Sequence, residues 1–207
     1  MDIRYNKIME KEIRQPIQQR SIEKKDRIIK AAYELFSEKG YHSTITSDIA
    51  KRAGVSTGIV YGYFQDKRDV LFYVLKIYIK DVATPVMDYF YSVEAGTPLE
   101  EVFDNLITLT QKMHKKNANL HNILHSVAYT DSAINDEFLH LENHITISAS
   151  KKLRELGCNP DHLEEKVHIA MNVIQSYAHE AIYDKHDYID YSAMKANVVK
   201  VLVDLFE

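Results

Sequence analysis

The sequence predicts an all-α protein of about nine helices, a three-helix head carrying a helix-turn-helix and a larger helical body behind it. Three observations lead there. Apolar residues recur at steps of three and four along most of the 207 residues, the period of a helix buried on one face. Six glycines and four prolines are too few for a turn-rich β protein or a disordered chain. The breaks between periodic runs carry helix-ending or helix-starting residues, as at Gly40, Gly54, Thr97-Pro98 and Gly157.

Composition sets outer limits. A mass of 24.0 kDa leaves ample material for a core. One cysteine, Cys158, excludes an internal disulfide framework and fits a reducing compartment, as an inert thiol or as a lone sensor. No apolar run approaches the roughly eighteen residues of a membrane span, and the charged N-terminus lacks a signal core, so a soluble cytoplasmic protein is expected. The formal net charge is −4 but is unevenly spread: residues 1–68 hold 14 Lys and Arg against 9 Asp and Glu, and residues 69–207 hold 12 against 21. A basic head attracts phosphates while an acidic body is repelled by them.

The chain divides into a basic extension (1–20), a helix-turn-helix segment (21–66) and a ligand-binding and dimerisation body (67–207). In the extension, Arg4, Lys7, Lys11 and Arg14 share one helical face, suited to a phosphate-contacting arm or to a solvated tail. Ser21 to Lys39 reads as a supporting helix with Ile28, Ala32, Leu35 and Phe36 on one side and Gly40 ending it. Thr44 to Leu71 then reads as two short helices and the start of a third. Ile45, Ile49 and Ala53 recur at four-residue steps, Gly54 stops the first helix, and Ser56 caps the second. The second, Thr57 to about Phe64, packs through Val60 and Phe64, leaving Thr57, Gly58, Tyr61 and Gly62 to face outward.

Two glycines in two helical turns cost about 1 kcal/mol each relative to alanine, so some gain must compensate. A helix face without side chains can approach another surface closely, and the major groove of DNA admits a helix. The hydroxyls of Thr44, Thr46, Ser47, Ser56, Thr57, Tyr61 and Tyr63, with the Lys67 ammonium, suit phosphate oxygens; the alternative makes the threonines caps and the tyrosines half-buried packing.

Over Ala31 to Leu71 the chain resembles the DNA-binding domain of the TetR family of bacterial repressors. The matching residues are Ala31-Ala32, Leu35-Phe36, Gly40-Tyr41, Thr44, Thr46, Asp48-Ile49-Ala50, Ala53-Gly54-Val55-Ser56, Gly58, Tyr61, Tyr63-Phe64, Lys67 and Leu71. The resemblance implies a homodimer that binds a palindromic double-stranded DNA operator and releases it on binding a small-molecule effector. Thr57, at a position often basic in the family, and Gly62, at one often bulkier, depart from its pattern and leave the operator sequence open.

Asp66 is placed to cap a fourth helix whose stripe runs from Val70 through Val82 and is expected to end or kink near Pro85. Displacing its far end would change the separation of two heads, and dimeric readers need half-sites about 34–36 Å apart. Thr97-Pro98-Leu99-Glu100 starts a fifth helix with Val102, Phe103, Leu106, Ile107, Thr110 and Met113 inward. Leu120 to Ala128 forms a shorter one. A long helix to about Leu156 follows the turn at Thr130-Asp131.

The last two helices, from about Asp161 to Tyr183 and from Ser192 onward, carry more apolar surface than one face can bury. Val167, Ala170, Ile174, Ala178, Ala181, Val198, Val201, Leu202 and Leu205 are therefore expected in a four-helix dimer interface, the alternative being burial within one body. For the effector, Phe103, Leu106, Ile107, Thr110, Leu124, Phe138, Leu141, Met171, Ile174 and Tyr177, with His125, His144 and Gln175, are expected around an apolar cavity.

The i, i+4 pairs His121/His125 and His140/His144 leave a lesser reading open, a metal or haem sensor. No thiolate cluster accompanies them, and no cofactor is assigned. The sequence shows no G-x-S-x-G elbow, phosphate-cradling loop or H-E-x-x-H helix, so no enzyme is expected. The reading is a ligand-responsive repressor, with an architectural or cell-division DNA binder lacking a small-molecule switch as the alternative.

Overall fold

The computed structural model describes the backbone of residues 3–116 and 118–207 and the side chains of 19–116 and 118–207. The side chains of Arg4, Lys7, Lys11 and Arg14 thus lie outside the described residues. Among the described residues the chain is all-helical: α1 (Ile3–Lys39), α2 (Thr46–Ala53), α3 (Thr57–Tyr63), α4 (Lys67–Ser92), α5 (Leu99–Lys116), α6 (Ala118–Ala128), α7 (Ser132–Glu155), α8 (Leu163–Tyr183) and α9 (Tyr191–Phe206). None is long and apolar enough to cross a membrane. The chain forms two compact units that meet within α4, one up to Lys76 and the other Ile77–Glu207.

In the first unit, Ile28, Ala32, Leu35 and Phe36 of α1 are buried with Ile49, Val60, Phe64, Leu71 and Val74. At seven residues α3 is too short to persist alone, so it depends on this burial and on its ends. Ser56 caps it by accepting from the Ile59 amide, and Val60 and Phe64 anchor it. Gly54 ends α2 in the left-handed region at φ 67°, where a side chain would be strained. Arg52 of α2 donates to Glu34 (3.3 Å) and to both oxygens of Glu38 (2.9 and 3.1 Å) on α1, and holds the Glu38 carboxyl below the usual range.

Three boundaries differ from the sequence expectation. The first helix starts at Ile3, well ahead of Ser21. Pro85 does not end α4, which continues to Ser92. A proline removes one helical donor and crowds one turn, but Val86 and Phe90 beyond it pack on the body core, and that burial outweighs the local cost. The fifth helix opens at Leu99, so Pro98 precedes it and accepts from the Val102 amide through its carbonyl.

The second unit is built on α5 against α8 and α9, with α7 also packed on α8. Its core joins Phe103 and Ile107 with Val167, Ala170, Ile174, Ala181, Leu202 and Phe206. This corrects the expected dimer interface. Val167, Ala170, Ile174, Ala178, Ala181 and Leu202 are buried inside the chain itself and have no surface left for a partner. Both helices are apolar on more than one face, and the stripe assigned outward is the one that packs on α5. Val198 and Leu205 are half-buried, and Val201 is 59% exposed.

Candidate nucleic-acid interface and ligand cavity

The outward side of α3 is short and smooth. A Cβ built on Gly62 meets nothing within 4 Å, and one on Gly58 reaches only the Ser56 hydroxyl at 4.0 Å. Nothing described inside the chain requires glycine at either position. Between them stands Tyr61, 56% exposed, with Thr57 half-buried at the helix start. Thr46 and Ser47 open α2, the first half-buried and the second exposed. Ile45, expected on the buried stripe, precedes α2 and is 59% exposed.

Other residues expected at phosphates have partners inside the chain. Thr44 is fully buried, its hydroxyl donating to the Gly40 carbonyl at 2.8 Å and more weakly to that of Leu35 at 3.4 Å. It fastens the turn after α1 and cannot reach a ligand. Lys67 donates to the carbonyls of Tyr41 (2.7 Å) and Thr44 (2.8 Å) and stands over the Tyr41 ring. Two of its three N–H bonds are thus committed within the head, and burial lowers its pKa. The Tyr63 and Ser21 hydroxyls share a hydrogen bond of 3.0 Å, tying α3 to α1. Ser56 serves as a cap while remaining exposed.

The body holds a partly open apolar cavity of about 120 Å³. Phe103, Leu106, Thr110, Leu141, Met171, Ile174 and Gln175 line it, all residues expected there. So do Val82, Ala83, Val86, Met87 and Phe90 of α4, a helix that the sequence is read as ending or kinking near Pro85 and that gives no sign of facing a cavity. Thr110 turns its hydroxyl to the Leu106 carbonyl at 2.8 Å, which leaves Gln175 as the polar side chain of the wall with hydrogen-bonding capacity to offer.

Six expected residues stand elsewhere. Ile107 and Leu124 are fully buried in packing contacts. Tyr177 donates to the Tyr191 carbonyl at 2.8 Å, fixing the start of α9. His125 stacks on Phe138 with ring centroids 4.5 Å apart, and His144 is exposed on α7. Helical periodicity gives the inward face of a helix but cannot separate residues that wall a void from those that fill one.

The histidines gather in an unexpected set. His121 and His125 do lie close, ring centroids 4.3 Å apart, but His121 joins His114 and His179 instead. His140 and His144 are both exposed. Burial pushes the His121 pKa down to about 2 and lowers that of His114, so both rings are neutral. Cys158 is half-buried, and burial raises its thiol pKa, the opposite of an activated sensor.

Residues 28–74 match the model of the family described as bacterial regulatory proteins, tetR family. The chain is 54% identical over 54 residues to the HTH-type transcriptional regulator HbdR of Aromatoleum sp. (strain CIB), covering 26% of this chain and 24% of that protein. It is 49% identical over 49 residues to the fatty acid metabolism regulator protein of Bacillus subtilis (strain 168), covering 24% and 25%. The matches thus span about a quarter of the length of each of these two relatives. Along nearly its whole length it shares the fold of the fatty acid degradation regulator FadR from Bacillus halodurans, with a TM-score of 0.61, 23% identity and coverage of 87% of this chain and 94% of that one. These relatives are regulators and not enzymes. Residues 28–74 thus carry a helix-turn-helix head of the kind described for the tetR family, and the chain as a whole shares the fold of a solved regulator.

Proposed function

We propose that this protein is a transcriptional repressor that binds a palindromic operator as a homodimer through α3 and is released by a small, largely apolar effector held in the body. The observation that carries this reading is the bare strip at Gly58 and Gly62 on the outer face of a capped, anchored helix. It is where a duplex can come closest to backbone. Tyr61, Thr57, Thr46 and Ser47 surround that strip with groups suited to phosphates and base edges.

A palindrome requires two copies. The outer residues Ile169 (49% exposed) and Val201 (59% exposed), with half-buried Val173, Val198 and Leu205, give α8 and α9 an apolar surface for the pairing. The cavity wall is apolar and suits an alkyl chain, which supports an effector of that class. Two of the similar proteins are named for fatty acid metabolism or degradation, in keeping with an alkyl ligand. The cavity also favours this reading over an architectural binder with no switch. A DNA-bound protein of this kind works in the cytoplasm.

The test is a genome-wide binding map followed by titration of purified protein onto the sites recovered. A few promoter palindromes, each bound by two chains and released by medium-chain fatty acids or their thioesters, support the reading. Many dispersed sites without symmetry would replace the repressor with an architectural role.

A further inference from the structure

Three helices of the body bring imidazoles to one place. His114 stands in the last turn of α5, His121 on α6 and His179 on α8, and one ring nitrogen of each lies within 4.8 Å of the others. We propose that His114, His121 and His179 bind one divalent transition-metal ion of the zinc class. This site stands apart from the DNA-binding reading and needs only side chains of the body.

The spacing is that of a coordination shell close to assembled. His121 Nε2 and His179 Nδ1 are 3.3 Å apart, and two nitrogens at about 2.0–2.1 Å from a tetrahedral zinc stand roughly 3.3–3.4 Å from one another. Bringing the third ring into place asks for an approach of no more than about 1.5 Å.

Each ring is also held from outside through its other nitrogen. His121 Nδ1 lies 2.7 Å from the Tyr78 hydroxyl, His179 Nε2 lies 3.2 Å from an Asp184 carboxylate oxygen, and His114 Nε2 donates to Gln175 Oε1 at 2.8 Å. Such outer partners fix ring orientation and tautomer and raise ligand basicity. For His114 they leave Nδ1, which is buried and has no hydrogen-bond partner among the described residues. An acceptor in that position is costly unless something occupies it.

The protons balance without a change of charge. With Asp184 accepting from His179 Nε2–H, the His179 Nδ1 lone pair accepts from His121 Nε2–H in the ion-free protein. Metal entry displaces that proton to His121 Nδ1, where the Tyr78 oxygen can accept it. Three imidazoles with no thiolate suit Zn²⁺, Co²⁺, Ni²⁺ or Cu²⁺ and not Mg²⁺ or Ca²⁺, and three protein ligands leave a fourth position for water. Sequence spacing could not find this set, because its members are 58 residues apart at the longest single step and only the fold unites them.

The test uses untagged full-length protein stripped with a chelator and titrated with Co²⁺, then Zn²⁺. The expected result is one saturable Co²⁺ per chain with the visible bands of a tetrahedral, nitrogen-rich site, displaced by Zn²⁺ and untouched by a large excess of Mg²⁺. His179→Gln, on a side chain with solvent access, should abolish the bands. Asp184→Asn should keep them and weaken affinity about tenfold to a hundredfold. Absence of saturable binding overturns the site, and so does binding that survives undiminished in both His179→Gln and His121→Gln. Far-ultraviolet circular dichroism of each variant separates lost ligation from lost folding, and a folded Asp184→Asn reads the site even where a histidine variant fails to fold.

Discussion

Gln175 touches two sites at once: its side chain lines the apolar cavity, and its Oε1 accepts a hydrogen bond from His114 Nε2 at 2.8 Å. It stands on α8 one turn before His179, so the wall of the cavity and the outer shell of the histidine cluster share a residue. Gln175→Leu should lower stability by about 1 kcal/mol, read by urea unfolding of metal-free protein, since one hydrogen bond goes and His114 keeps its polar atoms. The same change should weaken Zn²⁺ binding severalfold. Unaltered zinc affinity would show that Gln175 does not orient the ring.

Gly62 separates folding from recognition. Because an added Cβ meets nothing within 4 Å, Gly62→Ala should raise the stability of the free protein by up to about 1 kcal/mol, the helix-propensity difference. Gly62→Leu should fold equally well. Both should bind the operator more weakly, the leucine by at least about tenfold, or 1.4 kcal/mol, as measured by fluorescence anisotropy. Normal affinity in Gly62→Leu would mean that DNA never approaches that face.

Lys67 should behave as a structural residue first. Lys67→Met removes two charge-assisted hydrogen bonds to the carbonyls of Tyr41 and Thr44 and should cost about 1.5–3 kcal/mol in thermal or chemical unfolding without DNA. The salt dependence of operator binding then falls by less than the full unit of a phosphate-neutralising lysine. Full stability with a slope reduced by one unit would return Lys67 to the phosphate contacts.

The Arg52–Glu38 pair predicts a pH dependence of fixed sign. Arg52 holds the folded-state carboxyl of Glu38 below its unfolded value of 4.5, so its contribution is complete above that value and disappears as pH falls through the lower folded value. Both side chains are solvent-exposed, so the effect is small and weakened by salt. Arg52→Ala should flatten the acid side of the stability curve below about pH 4.5 and leave its slope near neutrality unchanged.

Much of this molecule is legible before any coordinate is seen. Gly54, Ser56, Asp131 and Gly157 mark helix ends through local chemistry, a left-handed turn or a capping oxygen, which acts over a few residues and so survives in sequence. What is lost is whatever depends on a neighbour far along the chain. A hydroxyl such as that of Thr44 looks the same whether it faces a phosphate or the Gly40 carbonyl, and only packing decides. The apolar stripe of α8 similarly gives no sign of whether α5 or a second copy covers it. Helical spacing pairs His121 with His125 because it sees four residues ahead and not the turn of another helix.

The size of the cavity has a consequence for signalling. An engineered void of about 150 Å³ takes up a benzene ring in a rigid protein, so a space of about 120 Å³ admits only something of that order while its walls stay put. An occupant that fits equally well in every state of a protein biases none of them, however firmly it is held. A molecule too big for the resting space must push Met87, Phe90 or Phe103 aside, and on the proposed reading that push is the message. The smallest ligands should therefore be silent passengers, and the threshold between silence and response should fall at the length where the guest outgrows its host.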